Sequence, residues 1–485
     1  MRLPLRRLVA AAAALAVGVL GVHAWISLAS GFDVNHVSGV WLALARDLND
    51  GLFYRDLIGP AGYGGTRYFP LFFALITVFL RAGLDIVVAG YAASIVGAIV
   101  MSAGAYAFAV RIGIPRTTAI PITVLAAVAP YFVQQSVFAI RAEPLAAGLA
   151  LWGLSRVASP VSSWRQATVA ALLFTLAVAA KPTTAWAPVA ALLALALGRR
   201  RADAARLMLL TGSGILALFA GIHWLSQGRF VRSLQTVALA GEAAGSLVSP
   251  GVVLRFAGLA AGSRLLAVIL LLTAVAFVIC LPRWRQLPAL TVVTAAGVTA
   301  VVLGTPGTIL ANHVIELWVT AVLFLGWCAS SWPQAARIGP LLLAVLLLWT
   351  SAQNAVRATR LRGDAAATAF TRLRPAIVTA VHDCNGPILA ESPVIPLAAG
   401  VSPIVLDPFA LRVVTHRAPA VLDDLTARLS ERRFTCVVLD QDPGAPRGGA
   451  WYERVHFGRP VIDAVLDNYE HRVSVGPHRF YRPRP

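Results

Sequence analysis

From Leu8 to Ser30 the chain carries no charged side chain. A helix rises about 1.5 Å per residue, so this run is long enough to cross a hydrocarbon core of about 30 Å. Ten further apolar runs follow, near 86–110, 117–136, 144–156, 167–180, 183–198, 207–226, 264–281, 289–304, 314–330 and 339–354. Backbone placed in lipid must satisfy its own hydrogen bonds, and helices do so within one segment. The expected fold class is therefore an α-helical polytopic membrane protein of about 11 spans. With 58% hydrophobic and only 13% charged residues, the composition excludes an ordinary soluble domain. Arg2, Arg6 and Arg7 precede the first run and Ser27-Leu28-Ala29 offers a cleavage-like site, as in a signal peptide. The many later runs favour an uncleaved first span instead.

The net charge of +19 does not point to nucleic acid, because the arginines are dispersed and stand beside no zinc ligands or base-stacking module. Their placement predicts topology. Loops carrying Arg111/Arg116, Arg156/Arg165, Arg199 to Arg206, Arg283/Arg285 and Arg337 alternate with loops poorer in arginine. By the positive-inside rule the basic loops and the N-terminus are cytoplasmic, in a multi-pass protein of the plasma or inner membrane. The segment Tyr68 to Leu80 is apolar but gives only about 20 Å of helix. Were it a span, every later basic loop would face outward, so a re-entrant or surface-lying helix is expected, with a short tilted span as the alternative.

This parity gathers the polar chemistry on the extracytoplasmic side: Asp33 and the loop 31–85, Arg141-Ala142-Glu143, Lys181, Asn312-His313 and the tail. Within the loop, Val37, Val40, Trp41, Leu44 and Leu48 recur at helical spacing, opposite His36, Arg46, Asp47 and Asn49. Such a stripe fits an interfacial helix or one packed on the bundle. Residues 1–356 read as the transmembrane unit and 357–485 as a soluble domain, where arginine, proline and aspartate rise. Residues 387–391, 402–407 and 435–440 read as short buried strands, and 421–431 and 460–468 as helices, which suggests a small α/β domain. Cys384 and Cys436 lie in it, where they could pair; Cys280 and Cys328 sit near cytoplasmic span ends and are not expected to. No CxxC, Walker loop or GxGxxG after a strand is found.

Three stretches carry a resemblance to a known family. Asp33 follows the first span, and "WLALARDLNDGLFYRD" leads toward "YFPLFF"; Arg141-Ala142-Glu143-Pro144 forms a second acidic loop; and Lys181 in "VAAKPTTAWAP" marks a span boundary. In these features the chain resembles the integral-membrane GT-C glycosyltransferases that use polyprenyl- or dolichyl-phosphate sugars, such as the protein O-mannosyltransferases and the lipid A aminoarabinose transferase. Two departures are visible: Val34 stands where many relatives have a second acid, and Tyr68-Phe69-Pro70-Leu71 replaces a His-Pro-Pro-Leu form.

The resemblance implies an inverting hexosyl- or pentosyltransferase whose partners are a polyprenyl-phosphate sugar donor, membrane lipid, and a protein, lipid or polysaccharide acceptor. Asp33 and Glu143 are the candidate catalytic residues: transfer needs a base for the acceptor hydroxyl. Asp33 reads alternatively as a cap for the surface helix, and Glu143 as a partner of Arg141. Lys181, Arg67 and Arg141 are candidates for the donor phosphate, with a snorkelling anchor as the other reading of Lys181, the one lysine among 41 basic residues. His36, Asp56, Tyr68, Asn312, His313 and Glu316 are secondary candidates. His36 reads as solvated on the polar side of its helix, and Asn312 also reads as a helix cap. Two acids are few for a divalent ion, so no metal or other cofactor is expected. The competing classes are a transporter or flippase of lipid-linked glycan and a non-catalytic assembly partner; charge-poor spans with acids gathered outside disfavour the former.

Overall fold

The computed structural model describes residues 3–158, 163–239, 251, 254, 257–259, 263–304, 311–332, 335–363 and 369–485. Of the Gly/Pro-rich stretch 304–316 that leads into Asn312 and His313, residues 305–310 lie outside these. Among the described residues, five helices are long and apolar enough to cross a membrane: α1 (Leu3–Ser30), Ile86–Arg111, Arg201–Leu225, the stretch Asn312–Ser331, and Ala335–Gly363 through its Ile338–Arg360 portion. Shorter apolar helices, Trp164–Ala180 and Leu287–Gly304 among them, pack between these. The chain is a polytopic helical membrane protein with a small C-terminal sheet domain.

One span is broken. Arg116–Val128 and Tyr131–Phe138 meet at 61°, across a π-turn at Val124–Val128 and Pro130. A break frees backbone carbonyls, which in a low-dielectric interior need new donors. Gln134 Nε2 donates to Val128 O and Ala129 O, Asn354 Nδ2 to Ala129 O, and Trp318 Nε1 to Ala126 O at 3.0 Å. Ile140, with φ of 54°, then turns the chain sharply into Arg141 and Glu143. Left-handed backbone at a β-branched residue is strained, and here it aims a charged pair.

The α1 helix ends where Gly31, at φ +64°, donates its N–H to Ser27 O. The next helix, α2 (His36–Asn49), is capped by Asn35, whose Oδ1 accepts from Val37 N at 3.0 Å and Ser38 N at 3.3 Å, while Ser38 Oγ accepts from Asn35 N. This is a capping box, so Asp33 is not the cap. Residues 37–45 of α2 are all buried, and its apolar stripe lies in one hydrophobic core with Ile377, Val394 and Val438 of the C-terminal domain. Of the two readings of that stripe, the packed helix is the one found. The short helix α3 (Pro70–Arg81) lies against α2, with Thr77 Oγ1 donating to Ala45 O at 3.1 Å.

The domain's sheet has the order β1-β2-β4-β3, formed by β1 (Ile388–Ala390), β2 (Cys436–Leu439), β3 (Tyr469–Val475) and β4 (His478–Pro483). β1 and β2 run parallel and pair Leu389 with Val437; β4 is antiparallel to both β2 and β3. Cys384 and Cys436 form a disulfide, and Cys280 and Cys328 are free thiols. Residues 402–407, read above as a strand of this sheet, are not in it. They pair instead with the first loop, Tyr63 N donating to Ile404 O at 2.7 Å and Leu406 N to Tyr63 O at 3.0 Å.

The domain sits directly on α2. A Cβ on Gly39 would lie 2.7 Å from Val394 N and 3.0 Å from Pro393 Cδ. Because the nearest obstacle is backbone, Gly39→Ala should cost about 1–3 kcal/mol. Thermal unfolding of the purified protein checks this, with Gly18→Ala, whose Cβ would meet nothing within 4 Å, as the control.

Candidate functional site

Asp33 is only 7% exposed, and it makes no hydrogen bond and no ion pair among the described residues. Burial pushes its carboxyl up to about 6, against the opposing pull of Arg141 and Arg357. Among the described residues, both arginines are themselves without a carboxylate within 4 Å. Arg141 is 7% exposed and unpaired; Arg357 lies with its guanidinium 3.4 Å above the Tyr131 ring, its Nη1 buried without a partner. A buried guanidinium is costly unless an anion answers it. Arg141, buried, and Arg357, half-buried, beside a carboxyl that does not reach them leave positive charge uncompensated. Arg67, exposed at the end of the loop, stacks its guanidinium 5.1 Å over Phe409 and acts electrostatically on Tyr68 and Asp407.

Behind this group lies a closed polar network. Glu143 accepts from Asn312 Nδ2 at 2.5 Å, Lys181 Nζ stands 3.6 Å from Glu143 and 3.5 Å from Glu316, and Thr183 donates to Glu316 at 3.2 Å. Glu143, Glu316 and Asn312 are 7%, 4% and 7% exposed. The expected pairing of Glu143 with Arg141 is not formed; Lys181 takes that place. Lys181 therefore stands between two buried carboxylates at ion-pair distance, with its Nζ buried and making no hydrogen bond among the described residues. His313 neighbours the same network, its Nδ1 buried without a partner. Asn312 spends its amide on Glu143 rather than on a helix cap.

Tyr68 packs against Trp41 with ring centroids 4.4 Å apart, which places its hydroxyl end near Arg67 and Asp407. Asp56 is in an exposed ion pair with Arg232 at 3.2 Å, apart from the rest. His36, expected to be solvated, is half-buried: its ring lies 4.4 Å from that of His456 and 6.1 Å from Trp451 of the C-terminal domain. Burial, His456 and Arg141 hold its imidazole well below the usual range, so it is neutral near pH 7. No group of three or more His, Cys, Asp or Glu side chains is gathered in a metal-binding arrangement among the described residues.

Four residues escaped sequence reasoning: Arg357, Glu391, Trp451 and His456. Arg357 had a signal, since it follows the last apolar run on the side assigned to Asp33. The others had none, because only the folded domain brings them to α2.

A bundle with a bent helix pair, a long first loop and a C-terminal domain docked on that loop makes up this polytopic helical fold. Solved structures with this architecture include ArnT from Cupriavidus metallidurans in the apo state (13% identity, TM-score 0.63, covering 96% of this chain and 97% of that one). ArnT bound to undecaprenyl phosphate aligns at 13% identity and a TM-score of 0.59, over 96% and 97% of the two chains. The archaeal oligosaccharyltransferase AglB from Archaeoglobus fulgidus, in complex with an inhibitory peptide and a dolichol-phosphate, aligns at 12% identity and 0.56, over 97% of this chain and 74% of that one. No protein-family profile and no curated protein sequence matches. At such identities the likeness is one of fold, and at that level the resemblance read from the Asp33, Arg141 and Lys181 stretches holds.

Proposed function

We propose that the chain is an inverting glycosyltransferase that moves a sugar from a polyprenyl-phosphate donor to an acceptor hydroxyl on the extracytoplasmic face of the membrane. The observation that carries this reading is a buried, unpaired carboxyl at Asp33 facing arginines that have no carboxylate of their own. It is supported by the fold neighbours, of which one ArnT structure holds undecaprenyl phosphate and AglB holds dolichol-phosphate.

In the proposed step Asp33 takes the proton of the acceptor hydroxyl as that oxygen attacks the anomeric carbon. The bond from that carbon to the phosphate oxygen breaks, and polyprenyl phosphate leaves with the electron pair and one more negative charge than it had in the donor. Arg141 and Arg357 face that charge, with Arg67 at the entrance. Glu143, Lys181, Asn312 and Glu316 hold the broken helix and its neighbours in place around them, and His36 and Tyr68 line the approach. The transmembrane unit 1–356, with Arg357 just past its end, supplies the reacting groups, and the rest of 357–485 receives the acceptor. No step is assigned to a metal.

A base that must be ionised has a pH signature. With Asp33 at about 6, kcat/KM should fall roughly tenfold per pH unit below that value and level off above it. The test is turnover of labelled polyprenyl-phosphate hexoses and pentoses by protein reconstituted in lipid, across pH 4.5–8. Turnover of no donor would remove the transferase reading and leave a lipid-linked glycan transporter or a non-catalytic partner. A profile flat through pH 6 would remove Asp33 as the base.

A further inference from the structure

Where the C-terminal domain meets α2, a carboxylate with no solvent exposure is held by four donors. Glu391 accepts from Trp451 Nε1 at 2.7 Å, Tyr452 OH at 2.6 Å, His456 Nδ1 at 2.7 Å and the backbone N–H of Asp440 at 2.7 Å. Burial alone would raise its carboxyl, but His456 and Tyr452 hold it below the usual range, so it is ionised and only accepts. The His456 tautomer follows: Nδ1 carries the proton that Glu391 receives, and Nε2 is left buried without a partner. Glu391 thus fixes two rings at once, the Trp451 indole and the His456 imidazole, whose centroids are 4.7 Å apart.

Those rings meet His36, three residues beyond Asp33, and both Trp451 and His36 are half-open rather than sealed. A buried ion desolvated in order to orient an indole and an imidazole is a costly arrangement for packing alone. It is the usual support of a preorganised aromatic contact. The wall offers ring faces but no unpaired charge, since Glu391 is fully engaged and His36 is neutral. A neutral ligand rich in hydroxyls and with an apolar ring face suits it.

We propose that Trp451 and His36 form the wall of an acceptor subsite for a neutral sugar ring, with Glu391 and His456 as positioning residues, so that the acceptor is a glycan. This rests on the transferase reading above and assigns the acceptor side of the same site.

The experiment pairs direct binding with turnover, using full-length protein in lipid nanodiscs. Neutral arabinan, mannan and galactan hexasaccharides and Ser/Thr peptides serve as probes. One of the glycans should bind and accept sugar, and Trp451→Ala should raise its apparent KM about tenfold while the donor KM stays within about twofold. Trp451→Phe, which keeps a ring but loses the bond to Glu391, covers the case in which the alanine variant fails to fold. His456→Asn retains a donor at the Nδ1 position and removes the ring that backs Trp451 and His36, so it should keep the thermal midpoint yet weaken glycan binding. A purely structural His456 would leave binding intact. Peptides accepting while glycans do not, or a donor KM that rises with Trp451→Ala, would overturn the subsite. Glycan binding that is lost in Trp451→Ala, with no donor turned over by the wild type, would keep the wall and remove the transferase reading.

Discussion

Asp33→Asn should lower sugar transfer by about 10³-fold, within the range by which a positioned general base accelerates reactions. The substitution is nearly isosteric. It removes no hydrogen bond or ion pair, because Asn35 and Ser38 cap α2 and the arginines do not reach the carboxyl. The loss should therefore fall on kcat, with the donor KM unchanged or lower, since Arg141 and Arg357 keep their charge. Steady-state kinetics with the labelled donor separates the two constants. Transfer by a well-folded Asp33→Asn protein at the wild-type rate would move the base elsewhere.

The second large effect is on stability. Arg55 forms a bidentate pair with Asp47, Nε to Oδ2 at 2.6 Å and Nη2 to Oδ1 at 2.7 Å, with side chains 1% and 7% exposed. Its Nη1 also donates to Ala61 O at 2.8 Å and to Pro403 O at 2.6 Å, so one guanidinium ties α2, the first loop and the C-terminal domain together. Burial pushes the Asp47 carboxyl up and Arg55 opposes this. Arg55→Ala leaves Asp47 buried and alone and should cost about 3–5 kcal/mol. The double variant Arg55→Met, Asp47→Leu should recover most of that, because it removes the stranded charge. Thermal unfolding of the two proteins in the same lipid decides it: equal midpoints for Arg55→Ala and the wild type would show that the pair carries no load.

How far these features were legible in the sequence depends on the range of the forces behind them. The first span, its end at Asp33, the helical stripe of α2 and the short apolar helix near 70–81 follow from local periodicity and length. Asp47 shows the limit. Its position opposite the apolar stripe reads as solvent-facing, and only the arrival of Arg55 and Pro403 buries it. Residues 402–407 have the composition of a core strand, yet their partner is Tyr63, more than 300 positions earlier. Lys181 was visible as a singular residue, but whether it meets a phosphate or two carboxylates depends on which helices end beside it. Among the charged candidates, sequence order finds the residues and three-dimensional pairing decides which are spent.

The contact between Arg55 and Pro403 spans 348 residues. A ribosome adding about 5–20 residues per second needs roughly 20–70 s to make that interval. For that time the loop bearing Asp33 exists beside the membrane with the Asp47 carboxylate made but its shelter unmade, and with the groove for Tyr63 not yet synthesised. Proteolysis and chaperone binding act on this nascent form, so a premature stop after the last span leaves every span in place and still yields an unfinished first loop.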